Sequence, residues 1–355
     1  MTPKNNQQHQ KEIETMPDKD IHSKFYYDKV SPILPDTILD FHAHTWSCDD
    51  WKFKPWETQE SGGSYMVATE DYPPEKLLAD GQKCFPDKQF KAVVFGYPTP
   101  AVDLEKDTRF VANAAKKHKN LYPLIMAGKD FKVPREQLKE QLRNGGFLGY
   151  KVFLNWLGDD YGNVSIEDML SDNEMALANE LGLIVMLHVP RTGRLADPEI
   201  QRGVQWLAKD YPNAKIVLAH CGRCYLPTEM KKAINSITSL PNVYMDTSMV
   251  MDPLTLQIAM ESIGPEHLLY ATDFPVAAMK GRRVRVMDHW VDVVLDEYPD
   301  SAYRVKSNNI RATFMAVEIA IAIGDAAERV GISNKQRDGI FYDNGMKLLN
   351  NVTNC

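Results

Sequence analysis

The run Ile38-Leu39-Asp40-Phe41-His42-Ala43-His44-Thr45 constrains this chain more than any other stretch. Alternate side chains of a strand point to opposite faces. Asp40, His42 and His44 therefore share one face, and Leu39, Phe41 and Ala43 the other. Two histidines two residues apart on a strand have backbones about 6.5–7 Å apart, close enough for both rings to lean onto one ion. The apolar neighbours mark the second face as buried too, and strands buried on both faces belong to parallel sheets wrapped by helices. Two core histidines with no ligand role would each need a hydrogen-bond partner in a buried place, which weighs against a purely structural pair.

The pattern repeats. Short apolar runs at 38–44, 92–97, 121–127, 149–154, 183–188, 215–220, 243–247 and 268–273 read as eight strands. Helical candidates lie between them at 108–118, 135–144, 167–181, 200–210, 228–239 and 253–263, with Gly145, Gly182 and Gly264-Pro265 as stops. Strand and helix in alternation predict an α/β fold, a closed (β/α)8 TIM barrel. An open doubly wound sheet is the structural alternative, but no glycine-rich dinucleotide fingerprint follows the first strand. Helices at 307–323, 334–340 and 343–350 are expected to pack on the outside.

Residues 1–30 read as a polar N-terminal tail and 31–355 as the barrel domain. The connection 46–90 is too long for a plain βα loop and reads as an insertion. It carries Trp46, Trp51, Phe53, Trp56, Tyr65 and Tyr72, with Gly62-Gly63. Such an aromatic load suggests a lid or pocket wall, with Trp46 a candidate substrate contact. A small packed subdomain fits equally well.

The net charge of −7 argues against a nucleic-acid-binding surface. No apolar run approaches the roughly 20 residues needed to span a bilayer, and the first twenty residues lack the apolar core of a secretory signal. Five cysteines with no dense framework point to a reducing, cytoplasmic setting. The expected partner is a small-molecule substrate, not nucleic acid or a membrane.

Three more polar residues fall at strand ends: His188, His220 and Asp273. Catalytic groups of barrel enzymes come from the C-terminal ends of several strands. Nitrogen and carboxylate donors suit Zn²⁺ or a similar divalent ion. His42, His44, His188 and Asp273 would give three nitrogens and one oxygen. A water completing the set would have its pKa lowered to about 7. Asp273 could also take that water's proton, leaving His220 to polarise the substrate or move protons.

Taken together, Leu-Asp-Phe-His-Ala-His at 39–44, Ala-His-Cys-Gly at 219–222 and Ala-Thr-Asp-Phe-Pro at 271–275 resemble the amidohydrolase superfamily. The setting is that of its amidohydrolase 2 branch of metal-dependent hydrolases and decarboxylases, which includes aminocarboxymuconate-semialdehyde decarboxylase. The resemblance runs from about residue 33 to 350. It implies one divalent metal ion, often zinc, on His42, His44, His188 and Asp273, with His220 as acid/base. Arg223 departs from the branch's usual Ala-His-x-Gly-Gly. Relatives are often dimers, so a homodimer is an expectation.

Lys151, on the fourth strand, matches the position where some superfamily members carry a carboxylated lysine bridging two metals. The one-metal branch implies instead a group facing the substrate or the site floor. Arg191, Arg194 and Arg223 follow strands five and six, and guanidinium forks there suggest an anionic substrate. Surface pairing with Asp197 and Glu199 is the competing reading, strongest for Arg194. Cys221 and Cys224 have the spacing of a redox pair or half a zinc site, though no second such pair exists.

The activity expected first is hydrolysis of a small carbonyl compound, and second, nonoxidative decarboxylation. Many decarboxylases of the branch have glutamate where this chain has His42, which favours hydrolysis. A barrel that binds without turnover is the third reading.

Overall fold

The computed structural model describes residues 23–52, 71–154, 161–294, 304–306 and 313–353. The start of the expected tail, residues 1–22, and Phe53, Trp56, Gly62-Gly63 and Tyr65 of the expected insertion lie outside the described residues.

The parallel strands are β1 (Thr37–His44), β2 (Gln89–Phe95), β3 (Leu121–Pro123), β4 (Ile125–Met126), β5 (Gly149–Val152), β6 (Ile184–Leu187), β7 (Lys215–Leu218), β8 (Val243–Asp246) and β9 (Leu268–Leu269). Pairing runs β1-β2-β3 and β4-β5-β6-β7-β8-β9. β3 and β4 form one strand position, interrupted next to Pro123, which has no N–H to give to a ladder. Across the break the Leu124 N–H still reaches Val94 O at 2.8 Å, and the Ala127 N–H reaches Lys151 O at 3.0 Å.

The ring closes where the chain after β9 meets β1. The Phe41 N–H donates to Tyr270 O, the Asp273 N–H to His42 O and the His44 N–H to Phe274 O, each at 2.9 Å. This is a closed barrel of eight strand positions, and closure removes the free edges of the sheet. Strands β5 and β6 are buried at every position, as both-face burial requires.

Among the described residues, seven crossover helices wrap the ring: α1 (Pro74–Cys84), α2 (Leu104–Lys117), α3 (Arg135–Gly145), α4 (Asp172–Leu181), α5 (Pro198–Asp210), α6 (Pro227–Ala233) and α7 (Pro253–Ile263). Several starts are written locally. Asp103, Asp197 and Asp252 accept from the first free N–H groups of α2, α5 and α7. Ser171 and Glu174 form a capping box that starts α4. α8 (Met315–Val330) and α9 (Asn344–Asn350) follow the barrel. No helix among the described residues is long and apolar enough to cross a membrane.

Four features differ from expectation. α1 lies inside the stretch read as an insertion and is the crossover helix of the first βα unit, with Leu77, Gly81 and Cys84 buried. The helix expected over 167–181 is two, Ile166–Met169 and α4, because the Ser171 cap restarts it. An unforeseen hairpin, β10 (Gly281–Val286) and β11 (His289–Val294), pairs onward with β12 (Arg304–Lys306). Its inward Arg283 is buried against Asp292 through two hydrogen bonds of 2.8 and 2.9 Å, so charge occupies a core-facing position. Tyr26 and Val30, within the span read as tail, are buried, and the Tyr26 O–H donates to Asp87 at 2.6 Å.

At Gly149 the neighbouring strand comes so close that a Cβ would lie 2.0 Å from the carbonyl oxygen of Ile184. Gly149→Ala is expected to lower stability by about 3 kcal/mol, the upper end for overpacking. The equilibrium urea midpoint measures this, and an unchanged midpoint would refute so tight an approach.

Candidate metal centre

The strand ends of the barrel converge on one buried cluster. His42 Nδ1 lies 2.8 Å from Asp246 Oδ2. His44 Nδ1 lies 2.8 Å from the carbonyl oxygen of Gly96, which can only accept, so that nitrogen carries the proton. His220 Nδ1 lies 2.8 Å from Ser248 Oγ, whose own hydrogen goes to Asp246 Oδ1 at 2.5 Å. All three rings thus donate from Nδ1 and turn the lone pair of Nε2 into the cluster, that of His42 lying 3.1 Å from Lys151 Nζ.

Those lone pairs meet a carboxylate. Asp273 Oδ1 lies 3.2 Å from His44 Nε2 and 3.4 Å from His42 Nε2. Burial lowers the pKa of His44 despite the pull of Asp273, and pushes His220 down to about 3. Burial alone would raise the Asp273 carboxyl, but His44, His42 and His220 outweigh it and hold it below the usual range. With each Nδ1 committed to its acceptor, the nitrogens that face Asp273 can bind a cation together with its carboxylate, and such a donor set suits one. Ligand atoms of His42, His220 and Asp273 lie within 4.8 Å of one another, as a shared ion requires.

The expected residues divide as follows. His42 and Asp273 stand in this group. His44 faces Asp273 from its edge. His220, expected as the acid/base, stands within the group. His188 stands outside it: its ring centroid is 5.0 Å from that of His220, and its buried Nδ1 has no hydrogen-bond partner. Lys151 is fully buried, with Nζ 3.1 Å from His42 Nε2 and over the rings of Phe95 and Phe153. Burial, opposed by Asp246 and Asp273, brings its pKa down to about 7.

Asp40 does not join its histidine neighbours. The β1–β2 register shifts between Asp40 and Ala43. The Asp40 carboxyl turns to accept the His42 N–H at 3.0 Å, the Thr272 N–H at 3.0 Å and the Thr272 hydroxyl at 2.5 Å. It therefore ties β1 to the segment that carries Asp273. Burial pushes its pKa up to about 8.

Around the mouth, Arg194 pairs with Glu229 at 2.8 Å rather than with Asp197 or Glu199. Arg191 has Asp197 3.1 Å from its Nε, close but not aligned as a hydrogen bond, so its charge already has a carboxylate at hand. Arg223 donates to the backbone oxygens of Val189 and Arg191 at 3.0 and 3.3 Å. Trp46 is buried, its ring packed 5.3 Å from that of Tyr72 and 4.8 Å from that of Tyr97. Cys221 and Cys224 are both buried, and burial raises their thiols, Cys224 to about 12, which suits neither a redox pair nor a thiolate ligand.

The sequence reading missed Asp246 and Ser248. Asp246 is fully buried and accepts from four donors: His42 Nδ1, the N–H groups of His220 and Ser248, and the Ser248 hydroxyl. Its position at the end of β8 obeys the same strand-end rule that picked out the others. Asp246→Asn keeps the shape but removes the charge behind His42. It is expected to weaken Zn²⁺ binding to the apoprotein by about 10–100-fold, the usual cost of losing a partner behind a ligand. Competition with a chromophoric chelator measures this, and an unchanged affinity would take Asp246 out of the centre.

Residues 39–350 match the family described as Amidohydrolase, Amidohydro_2. A stretch of 101 residues is 31% identical to 6-methylsalicylic acid decarboxylase of Penicillium expansum, covering 24% of this chain and 30% of that protein's length. An amidohydrolase from Burkholderia multivorans, solved with bound zinc, aligns with a TM-score of 0.57 and 16% identity over 88% of this chain and 99% of its own. 5-Carboxyvanillate decarboxylase from Novosphingobium aromaticivorans, solved with bound manganese, aligns with a TM-score of 0.58 and 13% identity over 91% of this chain and 99% of its own. At such identities the two structures speak for a shared fold. The family match, by contrast, runs along most of the sequence and includes every strand end that feeds the buried cluster, and on that ground this chain is an enzyme of the amidohydrolase family.

Proposed function

We propose that this chain is a metal-dependent hydrolase of a small anionic carbonyl compound, with one zinc ion at its centre. The meeting of imidazole nitrogens with the Asp273 carboxylate carries the reading, because a cation between them would balance a cluster of acceptors that Lys151 Nζ meets at His42 Nε2. His42, His220 and Asp273 would hold the ion, with His44, whose Nε2 lies 3.2 Å from Asp273 Oδ1, as a further ligand. Such an ion supplies Lewis acidity, polarising a carbonyl and lowering the pKa of a water to about 7.

The chain's own groups do the rest. Asp273, ionised through its imidazole neighbours, accepts a proton as water adds to the carbonyl carbon. It returns that proton to the leaving oxygen or nitrogen as the acyl bond breaks. Lys151 Nζ exchanges a proton near neutral pH. His220 has its Nδ1 engaged by Ser248 and its other nitrogen turned into the cluster, so proton transfer falls to Asp273 and Lys151 rather than to His220.

Arg223 supports an anionic substrate. Among the described residues it has no carboxylate partner, and it lies close enough to His188 to help lower that ring's pKa. Its φ of 61° is in the left-handed region, which costs a non-glycine residue about 1–2 kcal/mol. A guanidinium kept there at such a cost suits a group that grips a substrate carboxylate.

One observation favours a second reading, nonoxidative decarboxylation at the same centre: the 101-residue likeness to 6-methylsalicylic acid decarboxylase. There the carbon–carbon bond breaks, carbon dioxide leaves, and Lys151 in its ammonium form gives a proton to the carbon that keeps the electron pair.

Zinc-loaded protein assayed on matched lactones, esters and aromatic acids is expected to hydrolyse without releasing carbon dioxide. Carbon dioxide release with no hydrolysis would replace the first reading by the second. Arg223→Gln is expected to raise KM for an anionic substrate about 10–100-fold, the loss of a charge-assisted pair worth roughly 1.5–3 kcal/mol. KM for its neutral methyl ester should hardly change, and equal effects on both would remove Arg223 as the anchor.

A further inference from the structure

The two histidines of β1 are held in different ways, and the difference singles out a residue that nothing above has used. Behind His42 stands a carboxylate, Asp246. Behind His44 stands the carbonyl oxygen of Gly96, 2.8 Å from Nδ1. That carbonyl belongs to the Gly96–Tyr97 peptide, whose N–H, on Tyr97, donates to the carboxyl of Asp107. Asp107, in the first turn of α2, is 3% exposed. Its carboxyl sits so tightly on Gly96 that a Cβ there would lie 2.1 Å from Oδ2.

We infer that Asp107 is a positioning residue for the metal centre, acting on His44 through one peptide unit. The peptide is gripped at both ends: Asp107 accepts its N–H while His44 donates to its C=O. Rotation of the peptide would break both bonds, so Asp107 fixes where the acceptor for His44 Nδ1 stands. That acceptor in turn fixes the proton on Nδ1 and leaves Nε2 bare toward Asp273. Hydrogen bonds in series also polarise one another, which strengthens the hold of Gly96 on the ring. Burial and the nearby Asp50 push the Asp107 carboxyl upward. Either protonation state keeps an oxygen that accepts this N–H, so the grip does not depend on the charge. Gly96 is glycine because the carboxyl occupies the space of a side chain.

The inference rests on the proposed metal centre, and its test separates the two. Asp107→Ala is expected to weaken Zn²⁺ binding to the apoprotein about tenfold, at the low end for a partner behind a ligand. Asp107→Asn keeps an acceptor oxygen and is expected to stay within about threefold of the wild type. Imidazole ¹⁵N spectra of metal-free protein should show His44 as a single Nδ1–H tautomer in the wild type and in Asp107→Asn, and as a mixture in Asp107→Ala. Gly96→Ala pushes the carboxyl away and should match Asp107→Ala. The double variant should be no weaker than either single one, since both act through one peptide, and Gly96→Ala carries the test if Asp107→Ala does not fold. An unchanged His44 tautomer and zinc affinity in Asp107→Ala, while Asp246→Asn binds more weakly, would overturn the role of Asp107 alone. Unchanged affinity in both would overturn the metal centre. An Asp107→Asn as impaired as Asp107→Ala would put the effect in the charge and overturn the positioning account.

Discussion

Three imidazoles and a carboxylate, each turned with a lone pair inward, repel one another unless positive charge stands among them, and Lys151 Nζ, 3.1 Å from His42 Nε2, supplies part of it. The rings cannot turn away, because each Nδ1 already has a fixed acceptor: Asp246 for His42, the Gly96 carbonyl for His44 and the Ser248 hydroxyl for His220. Two of these three chains of hydrogen bonds end on Asp246. Its carboxylate is buried and would be raised by burial alone, yet His42, His220 and Lys151 hold it below the usual range. A half-satisfied polar network of this kind costs more than an apolar core of the same volume. The cluster is therefore better understood as prepared for an ion than as packing.

The backbone carries a matching strain. Arg191, Arg194, His220, Cys221, Arg223, Met249 and Asp273 all have positive φ, and all follow strands β6 to β9 where the chain turns over the cluster. Each such residue costs of order 1 kcal/mol or more and persists only where its surroundings fix it. The Asp40 carboxyl is one such fixing element, since its three accepted bonds hold Thr272, the residue before Asp273, against β1. The closed ring is another. With each strand bonded on both sides, the loops above it have little freedom to relax.

Much of this was legible in the sequence because barrel strands are periodic and end in chemistry. All eight strand positions could be read from their apolar runs, and five donor-bearing residues from their places at strand ends. The boundaries that failed did so for local reasons. α1 was hidden because Gly81 and a proline-rich start made its span look like loop. The β10–β11 hairpin was hidden because Arg283 faces inward, and only its bond to Asp292 in three dimensions makes that position a core position. Asp246 was passed over because one acid at a strand end is ambiguous until its four donors are in place. Which histidines converge most closely depends on ring orientation, and no spacing in the sequence encodes that.

Arg223 and Lys151 differ in a way that bears on the chemistry. A guanidinium stays charged at any working pH even though burial lowers the pKa of Arg223. Burial already brings Lys151 to about 7. A divalent ion on the His42 Nε2 that Lys151 now contacts would add repulsion in the same direction and favour the neutral amine. On the proposed reading, one cation would be a permanent counter-charge for a substrate anion, and the other a site that takes up and releases a proton. A carbonyl compound anchored by its carboxylate on Arg223 would bring its reacting carbon toward the side of the cluster where Asp273 and Lys151 can exchange protons. That division of labour serves acyl hydrolysis and loss of carbon dioxide alike, because both need an anchored anion and a mobile proton. What distinguishes them is whether a water or a carbon atom occupies the position beside Asp273.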